Sequence, residues 1–230
     1  VEDMNNRALD QFDVILLPGG DDYSRVLGKP GLDRLRAWVE RGGVLIATGA
    51  AARFAADPDT GLLSIRREDA ARPDGLEDAS QEEKATVPGS IITDEAGATK
   101  AIAPEKEGPD ATAGVLLSAV IDTDHWLAAA VKPTVVALYS GGDIYAPTKL
   151  NEGVNVGRFA SADSLVASGY LWADTKAQLA HKPFVVVEPK GDGMVIAFTA
   201  DPTTRAYLDG LNTLFANALF RAPAHSEKAR

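Results

Sequence analysis

Two glycine-bearing turns near the start of the chain have the spacing of a hydrolytic site built on a parallel sheet. They lie in the runs Asp13-Val-Ile-Leu-Leu-Pro-Gly-Gly20 and Gly42-Gly-Val-Leu-Ile-Ala-Thr-Gly-Ala-Ala-Ala-Arg53. A sharp turn between a strand and a helix is the position from which serine or cysteine nucleophiles attack carbonyl groups. The second turn contains neither residue, and the hydroxyl of Thr48 is a poor substitute. The pattern therefore predicts a nucleophile elbow that has no nucleophile.

The elements that position these turns form one strand, helix, strand unit. Residues 14–17 and 44–47 are apolar and end at small residues, which is typical of strands buried on both faces of a sheet. Between them, apolar residues recur at helical spacing until Gly42 and Gly43 end the helix; they are Leu32, Leu35, Trp38 and Val39. Because parallel strands present their carboxyl ends at one edge, both turns are expected to face one pocket.

The two runs resemble the class I glutamine amidotransferase superfamily. The resemblance implies that the loop Pro18-Gly19-Gly20 supplies backbone N–H groups to an oxyanion and that the catalytic cysteine position falls at Ala50. No cysteine exists anywhere in the chain, so the resemblance implies the fold without the activity. Asp201 lies near the position of the family's general base. The run Asp201-Pro-Thr-Thr204 is also a typical helix cap, ahead of the apolar helical stripe near the C-terminus.

A second resemblance covers most of the chain. Four runs are similar to the amidotransferase-like domain that follows the catalytic domain of M14-type zinc carboxypeptidase-like proteins: 13–20, Lys149-Leu-Asn-Glu-Gly-Val-Asn-Val-Gly-Arg-Phe-Ala160, Ser168-Gly-Tyr-Leu-Trp172 and Asn212-Thr-Leu-Phe-Ala-Asn-Ala-Leu-Phe220. This resemblance implies a non-catalytic accessory domain with a structural, assembly or substrate-access role. It also implies an upstream carboxypeptidase-like domain that holds the zinc, a protein able to form homo-oligomers, and export from the cytoplasm.

The alternative interpretation is a binding module that uses the vestigial pocket for a carboxylate, an amide or a sugar. Its candidate binding residues surround the two turns: Gly19, Gly20, Thr48, Gly49, Ala51 and Arg53. Arg53 could direct its guanidinium over the pocket or form a surface ion pair with a nearby carboxylate. Trp126, Tyr170 and Trp172 are open to two readings as well, since such aromatics fill cores more often than they stack on sugars.

Composition narrows the choice of function. The net charge of −10 argues against a nucleic-acid partner, which requires a basic face, and no apolar stretch is long enough to span a membrane. The three histidines, His125, His181 and His225, lack the His-x-x-Glu spacing of a zinc peptidase, so we predict no metal or cofactor in this chain.

The predicted fold class is α/β, a flavodoxin-like three-layer fold with a mostly parallel central sheet. Residues 184–188 and 194–198 flank Lys190-Gly-Asp-Gly193 and predict a C-terminal antiparallel hairpin. We assign residues 1–222 to one domain, with an acidic insertion at 68–112, and 223–230 to a polar tail. Such folds usually begin with one more strand and helix, which would lie upstream of Val1.

Overall fold

The computed structural model describes residues 9–20, 22–71, 93–94, 108–206 and 208–227. Its strands are β1 (Val14–Leu17), β2 (Val44–Thr48), β3 (Thr112–Ile121), β4 (Thr134–Gly141), β5 (Val154–Phe159), β6 (Val166–Ser168), β7 (Pro183–Lys190) and β8 (Gly193–Phe198). The α-helices are α1 (Tyr23–Glu40), α2 (Ala50–Ala56), α3 (Ala173–Leu179) and α4 (Leu211–Arg221). The α/β class is therefore confirmed. Within these residues, no helix is both long and apolar enough to cross a membrane.

All eight strands belong to one curled, mixed sheet that resembles half of a barrel. Its order is β1-β2-β8-β7-β5-β3-β4, with β6 paired to β3 outside this path. Only the β1–β2 and β2–β8 pairs are parallel, and every other pair is antiparallel. The prediction of a mostly parallel sheet is therefore wrong, and the three-layer flavodoxin-like arrangement is not confirmed.

The connection between β3 and β4 contains no crossover helix. A parallel pair requires a crossover of a dozen or more residues, usually a helix. Residues 122–133 form only one 3-10 turn, Trp126–Ala128, and Ala130 has a positive φ of 63°. The chain therefore turns back, and β4 pairs antiparallel beside β3.

The parallel part of the sheet follows the sequence prediction closely. Val14 to Leu17 pair with Val44 to Ala47, and α1 connects the two strands with a break at Gly28, where φ is 56°. Every residue of β2 is buried. Alternate residues of β2 belong to two separate apolar clusters, since Val44 and Ile46 pack on one face of the sheet and Leu45 and Ala47 on the other.

The predicted hairpin is present as β7 and β8, and its tip packs tightly against the end of α1. Lys190 pairs with Gly193, and the N–H of Asp192 donates to the carbonyl of Glu40. A Cβ atom on Gly193 would lie 2.1 Å from the carbonyl oxygen of Val39 and 2.3 Å from that of Gly43. Only glycine fits at this crossing of three backbone segments.

A buried carboxylate connects β7 to the segment that follows α2. Glu188 is only 4% exposed, and it accepts hydrogen bonds from the backbone N–H of Ser64 (2.7 Å) and from the Ser64 hydroxyl (2.9 Å). The same hydroxyl lies 3.1 Å from that of Thr148. Ser64 is therefore held by side-chain hydrogen bonds rather than by a strand ladder.

The remaining sequence assignments have mixed outcomes. The predictions for residues 72–92 and 95–107 of the acidic insertion lie outside the described residues.

The tail predicted from residue 223 begins as a 3-10 turn, Ala222–His225, in which the His225 ring stacks on Trp126 with centroids 4.2 Å apart. The N–H of Glu227 then donates to the carbonyl of Asp192. The first part of the tail is therefore docked on the domain.

Candidate functional site

A cavity of about 370 Å³ lies where β1, β2, β4 and β8 end. It falls within the size range of small-molecule sites. Three of its lining residues carry charged side chains: Arg53, Asp143 and Asp201. The other lining residues are uncharged: Gly19, Gly49, Ala50, Leu138, Tyr139, Ser140, Gly141, Thr199, Ala200 and Thr204. The two turns singled out from the sequence therefore face one pocket, as predicted.

The turn between β2 and α2 has the backbone conformation of a nucleophile elbow. Gly49 has φ 54° and ψ −122°, and its N–H donates to the carbonyl of Phe198. Ala50 is the first residue of α2. The strained residue of an elbow carries the nucleophile, and here that residue is Gly49, which has no side chain. Thr48 is buried and does not line the cavity. The elbow itself therefore offers no nucleophile.

Asp201 faces this elbow. A Cβ atom on Gly49 would lie 3.9 Å from the backbone nitrogen of Asp201 and 4.0 Å from its Cβ. The Asp201 carboxylate accepts hydrogen bonds from the N–H (2.8 Å) and the hydroxyl (2.7 Å) of Thr203. The residue closes this local turn, and the C-terminal helix starts only at Leu211. The helix-cap assignment is therefore wrong, and Asp201 lies opposite the elbow.

An ion-pair cluster forms another wall of the cavity. Arg53 contacts one Asp143 oxygen through Nε (2.9 Å) and Nη2 (2.7 Å), and Arg67 contacts the other oxygen through Nε (3.0 Å). The Asp143 side chain is only 18% exposed, so these pairs are shielded better than ordinary surface pairs. Arg53 thus both lines the pocket and forms the ion pair that sequence analysis offered as the alternative.

Two buried phenols stand behind this cluster. Burial, with a smaller contribution from the Asp143 carboxylate, raises the pKa of Tyr139 and of Tyr145 well above the ordinary value. Both hydroxyls therefore stay protonated at neutral pH. The Tyr139 hydroxyl donates to the carbonyl of Asp143 at 3.4 Å, but no described residue offers the Tyr145 hydroxyl a partner within hydrogen-bond distance.

We expect Tyr145→Phe to keep or increase stability, by about 1 kcal/mol at most, because it removes a buried hydroxyl whose desolvation no described hydrogen bond offsets. Urea unfolding followed by circular dichroism measures the change. Tyr139→Phe is the matched control, since that phenol has a hydrogen bond, and it should be the less stable variant. A Tyr145→Phe protein clearly less stable than Tyr139→Phe would contradict the account.

The structure brings together five of the residues considered from the sequence: Gly19, Gly49, Ala50, Arg53 and Asp201. Gly20, Thr48 and Ala51 do not line the cavity. Ala51 is fully buried, and a Cβ atom on Gly20 would lie against the Tyr23 ring. The sequence did not point to Asp143, Ser140 or Thr204.

The three histidines do not converge. His181 Nδ1 lies 3.1 Å from Nη1 of Arg158, whereas His125 and His225 flank Trp126. Burial lowers the pKa of His125, and its Nδ1 accepts the N–H of Leu127. Among the residues that the structure describes, no group of three His, Cys, Asp or Glu side chains could hold a metal ion.

The chain resembles known proteins in its structure only. No protein-family model and no curated protein matches the chain. A putative ThuA-like protein from Parabacteroides merdae has a TM-score of 0.54 at 10% identity, covering 96% of this chain and 73% of that one. The cytoplasmic protein STM3548 from Salmonella typhimurium has a TM-score of 0.53 at 13% identity, covering 96% and 75%. The β-galactosidase from Bacillus circulans sp. alkalophilus has a TM-score of 0.49 at 10% identity. The match covers 97% of this chain, which spans only 24% of the length of the β-galactosidase.

These neighbours overturn the resemblance to the domain of M14-type carboxypeptidases. ThuA-like proteins appear among them, and these neighbours show no link to M14 carboxypeptidases. The upstream carboxypeptidase domain and the zinc that it would hold therefore have no support, and the accessory role depends on both. Identities of 10–13% relate folds and not activities. The chain shares the glutamine amidotransferase-like fold of ThuA-like proteins.

Proposed function

We propose that this chain is a non-catalytic binding module that holds a small, neutral, hydroxylated molecule in the cavity beside Gly49. The proposal rests on the elbow at Gly49. Its backbone keeps the positive φ of a nucleophile elbow and faces Asp201, but the residue has no side chain. An acyl-transfer site needs a nucleophile at that position. Without a nucleophile, the space in front of Gly49 has room for a ligand atom instead.

The charges around the cavity favour a neutral ligand. The lining carries one positive group, Arg53, and two negative groups, Asp143 and Asp201, and Arg67 offsets Asp143 from outside the lining through its ion pair. A hydroxyl group both donates and accepts, and it can therefore donate to the Asp201 carboxylate and accept from the Arg53 guanidinium. Ser140 and Thr204 add hydroxyls to the same lining. A carboxylate ligand would approach Asp201 within a protein whose net charge is −10.

Gly49→Ala tests this proposal, because its methyl group would enter the cavity toward Asp201. Isothermal calorimetry with myo-inositol and glucose should give binding to the wild type that Gly49→Ala loses. Gly28→Ala is the matched control, since Gly28 has φ 56° and ψ −178°, also outside the left-handed helical region, but its Cβ would lie near Pro30 and away from the cavity. Each substitution should cost about 1 to 3 kcal/mol of backbone strain, so a loss of binding in Gly49→Ala alone points to the cavity.

Four results would contradict the proposal. The first is an absence of binding by both neutral probes, and the second is equal binding by wild type and Gly49→Ala. The third is binding of acetate or glutamine in preference to the polyols, which would show that the pocket selects charged ligands. Hydrolytic turnover that disappears in Asp201→Asn would also refute the non-catalytic assignment.

A further inference from the structure

Two aromatic side chains outside the cavity form an exposed pair. Tyr170 is 68% exposed and Trp172 is 50% exposed, although both could bury large apolar surfaces. Their ring centroids are 5.3 Å apart and their planes meet at 85°. We call this pair the aromatic corner. Among the described residues, ring contacts connect these two aromatics only to each other.

The backbone holds the aromatic corner in place. Leu171, between the two rings in sequence, is buried, and the carbonyl of Trp172 accepts the N–H of Lys176 in α3. Gly169 has a φ of 102° and lies against Val115, whose Cγ2 would be 3.3 Å from a Cβ at that position. A ring pair fixed during folding loses little further conformational freedom when a ligand binds.

The segment that carries the aromatic corner packs against β3. Gly169 lies against Val115 on β3, and Val115 is paired with Tyr139 on β4, which lines the cavity. Neither ring of the aromatic corner lines the cavity itself, so the aromatic corner is a separate site.

We infer that the aromatic corner binds a sugar ring by stacking, at a site distinct from the cavity. The C–H face of a pyranose packs on an aromatic ring while its equatorial hydroxyls remain in water, which suits rings that are half exposed. The pair exposes roughly 200 to 300 Å² of side-chain surface, judged from the area that Tyr and Trp can bury. A stable protein partner needs about 800 Å² on each side, so this area fits one or two sugar rings instead.

Charge supports a neutral sugar over a nucleotide or another phosphorylated ligand. Asp174, close to the rings in sequence, is acidic and exposed, and the chain as a whole carries −10. Tight phosphate recognition usually includes arginine or lysine. The residues from Ser168 to Thr175 include neither, and the first cation after the rings is Lys176 within α3.

Nuclear magnetic resonance of the three tryptophan indole N–H groups tests the inference, with cellotriose and maltotriose as probes. We expect titration of at least one trisaccharide to shift the Trp172 signal. Trp38 should not move, because it is buried and its Nε1 donates to Phe12. Trp172→Ala and Tyr170→Ala should each weaken binding at least about tenfold, since both rings contact the sugar.

The controls separate this site from the cavity. Phe220→Ala removes an 82% exposed aromatic that lies on α4, and it should bind like the wild type. Gly49→Ala should also keep the Trp172 shift, so the inference can hold even if the proposed cavity function fails. Three results would overturn the inference: no shift of the Trp172 signal with either trisaccharide, unchanged affinity in Trp172→Ala, or tighter binding of a proline-rich peptide than of either sugar.

Discussion

Gly193→Ala is expected to prevent stable folding. The new methyl group would lie 2.1 and 2.3 Å from the carbonyl oxygens of Val39 and Gly43, distances at which backbone atoms must move. These atoms belong to the end of α1 and the residue before β2, so relief would separate the hairpin tip from both. We expect a loss of about 4 kcal/mol or more, which is a large part of a typical domain's stability. Soluble yield and urea unfolding followed by circular dichroism measure it.

Gly114→Ala is the matched control for that variant. Gly114 also lies in a strand, but the nearest atom to its added Cβ would be Cδ1 of Leu138, at an ordinary contact distance of 3.7 Å. Its stability should change by less than about 1 kcal/mol. A Gly193→Ala protein that unfolds at the same urea concentration as Gly114→Ala would show that the hairpin tip does not pack as described.

The second large effect is expected at Glu188. Glu188→Ala would leave the partly buried N–H of Ser64 without its acceptor, would leave the Ser64 hydroxyl with Thr148 alone, and would open a small cavity. We expect a loss of about 2 to 4 kcal/mol in the free energy of unfolding, which is the cost of an unsatisfied buried donor together with lost packing. Chemical denaturation at neutral pH gives the value directly.

Glu188→Gln separates the hydrogen bonds from the charge. The glutamine oxygen can still accept the Ser64 N–H, and its amide nitrogen can donate to the Ser64 hydroxyl. This variant should therefore lose only about 1 kcal/mol. If Glu188→Ala were as stable as Glu188→Gln, the segment around Ser64 would not depend on these hydrogen bonds.

The parts of the fold that could be predicted from sequence are those with local signals. Helix α1 follows from the apolar spacing that ends at Val39, and the β7–β8 hairpin follows from two apolar runs around Gly191 and Gly193. Strand β5 gave no comparable signal, because Asn155, Gly157 and Arg158 interrupt it. The antiparallel direction of β3 and β4 depended on a connection without a crossover helix, which the apolar runs of the two strands do not encode.

The residues of the candidate site also divide into those with a local sequence signal and those without one. Gly19, Gly49 and Arg53 were accessible because their turns directly follow apolar strands. Asp143 was not, since it lies 90 positions from Arg53 and only the folded sheet brings the two together. Tyr170 and Trp172 were visible as aromatics, but the buried Leu171 between them, which directs both rings outward, became evident only with the tertiary structure.

The parallel pairing of β2 with β8 has a consequence for synthesis on the ribosome. Val44 pairs with Met194, so β2 emerges long before the strand that will cover its second edge. At about 5 to 20 residues per second, the delay is roughly 8 to 30 seconds. During that interval the nascent chain carries an apolar strand with one unpaired edge, which is a template for wrong association. We therefore expect the nascent chain to be most prone to wrong association before its C-terminal hairpin has left the ribosome.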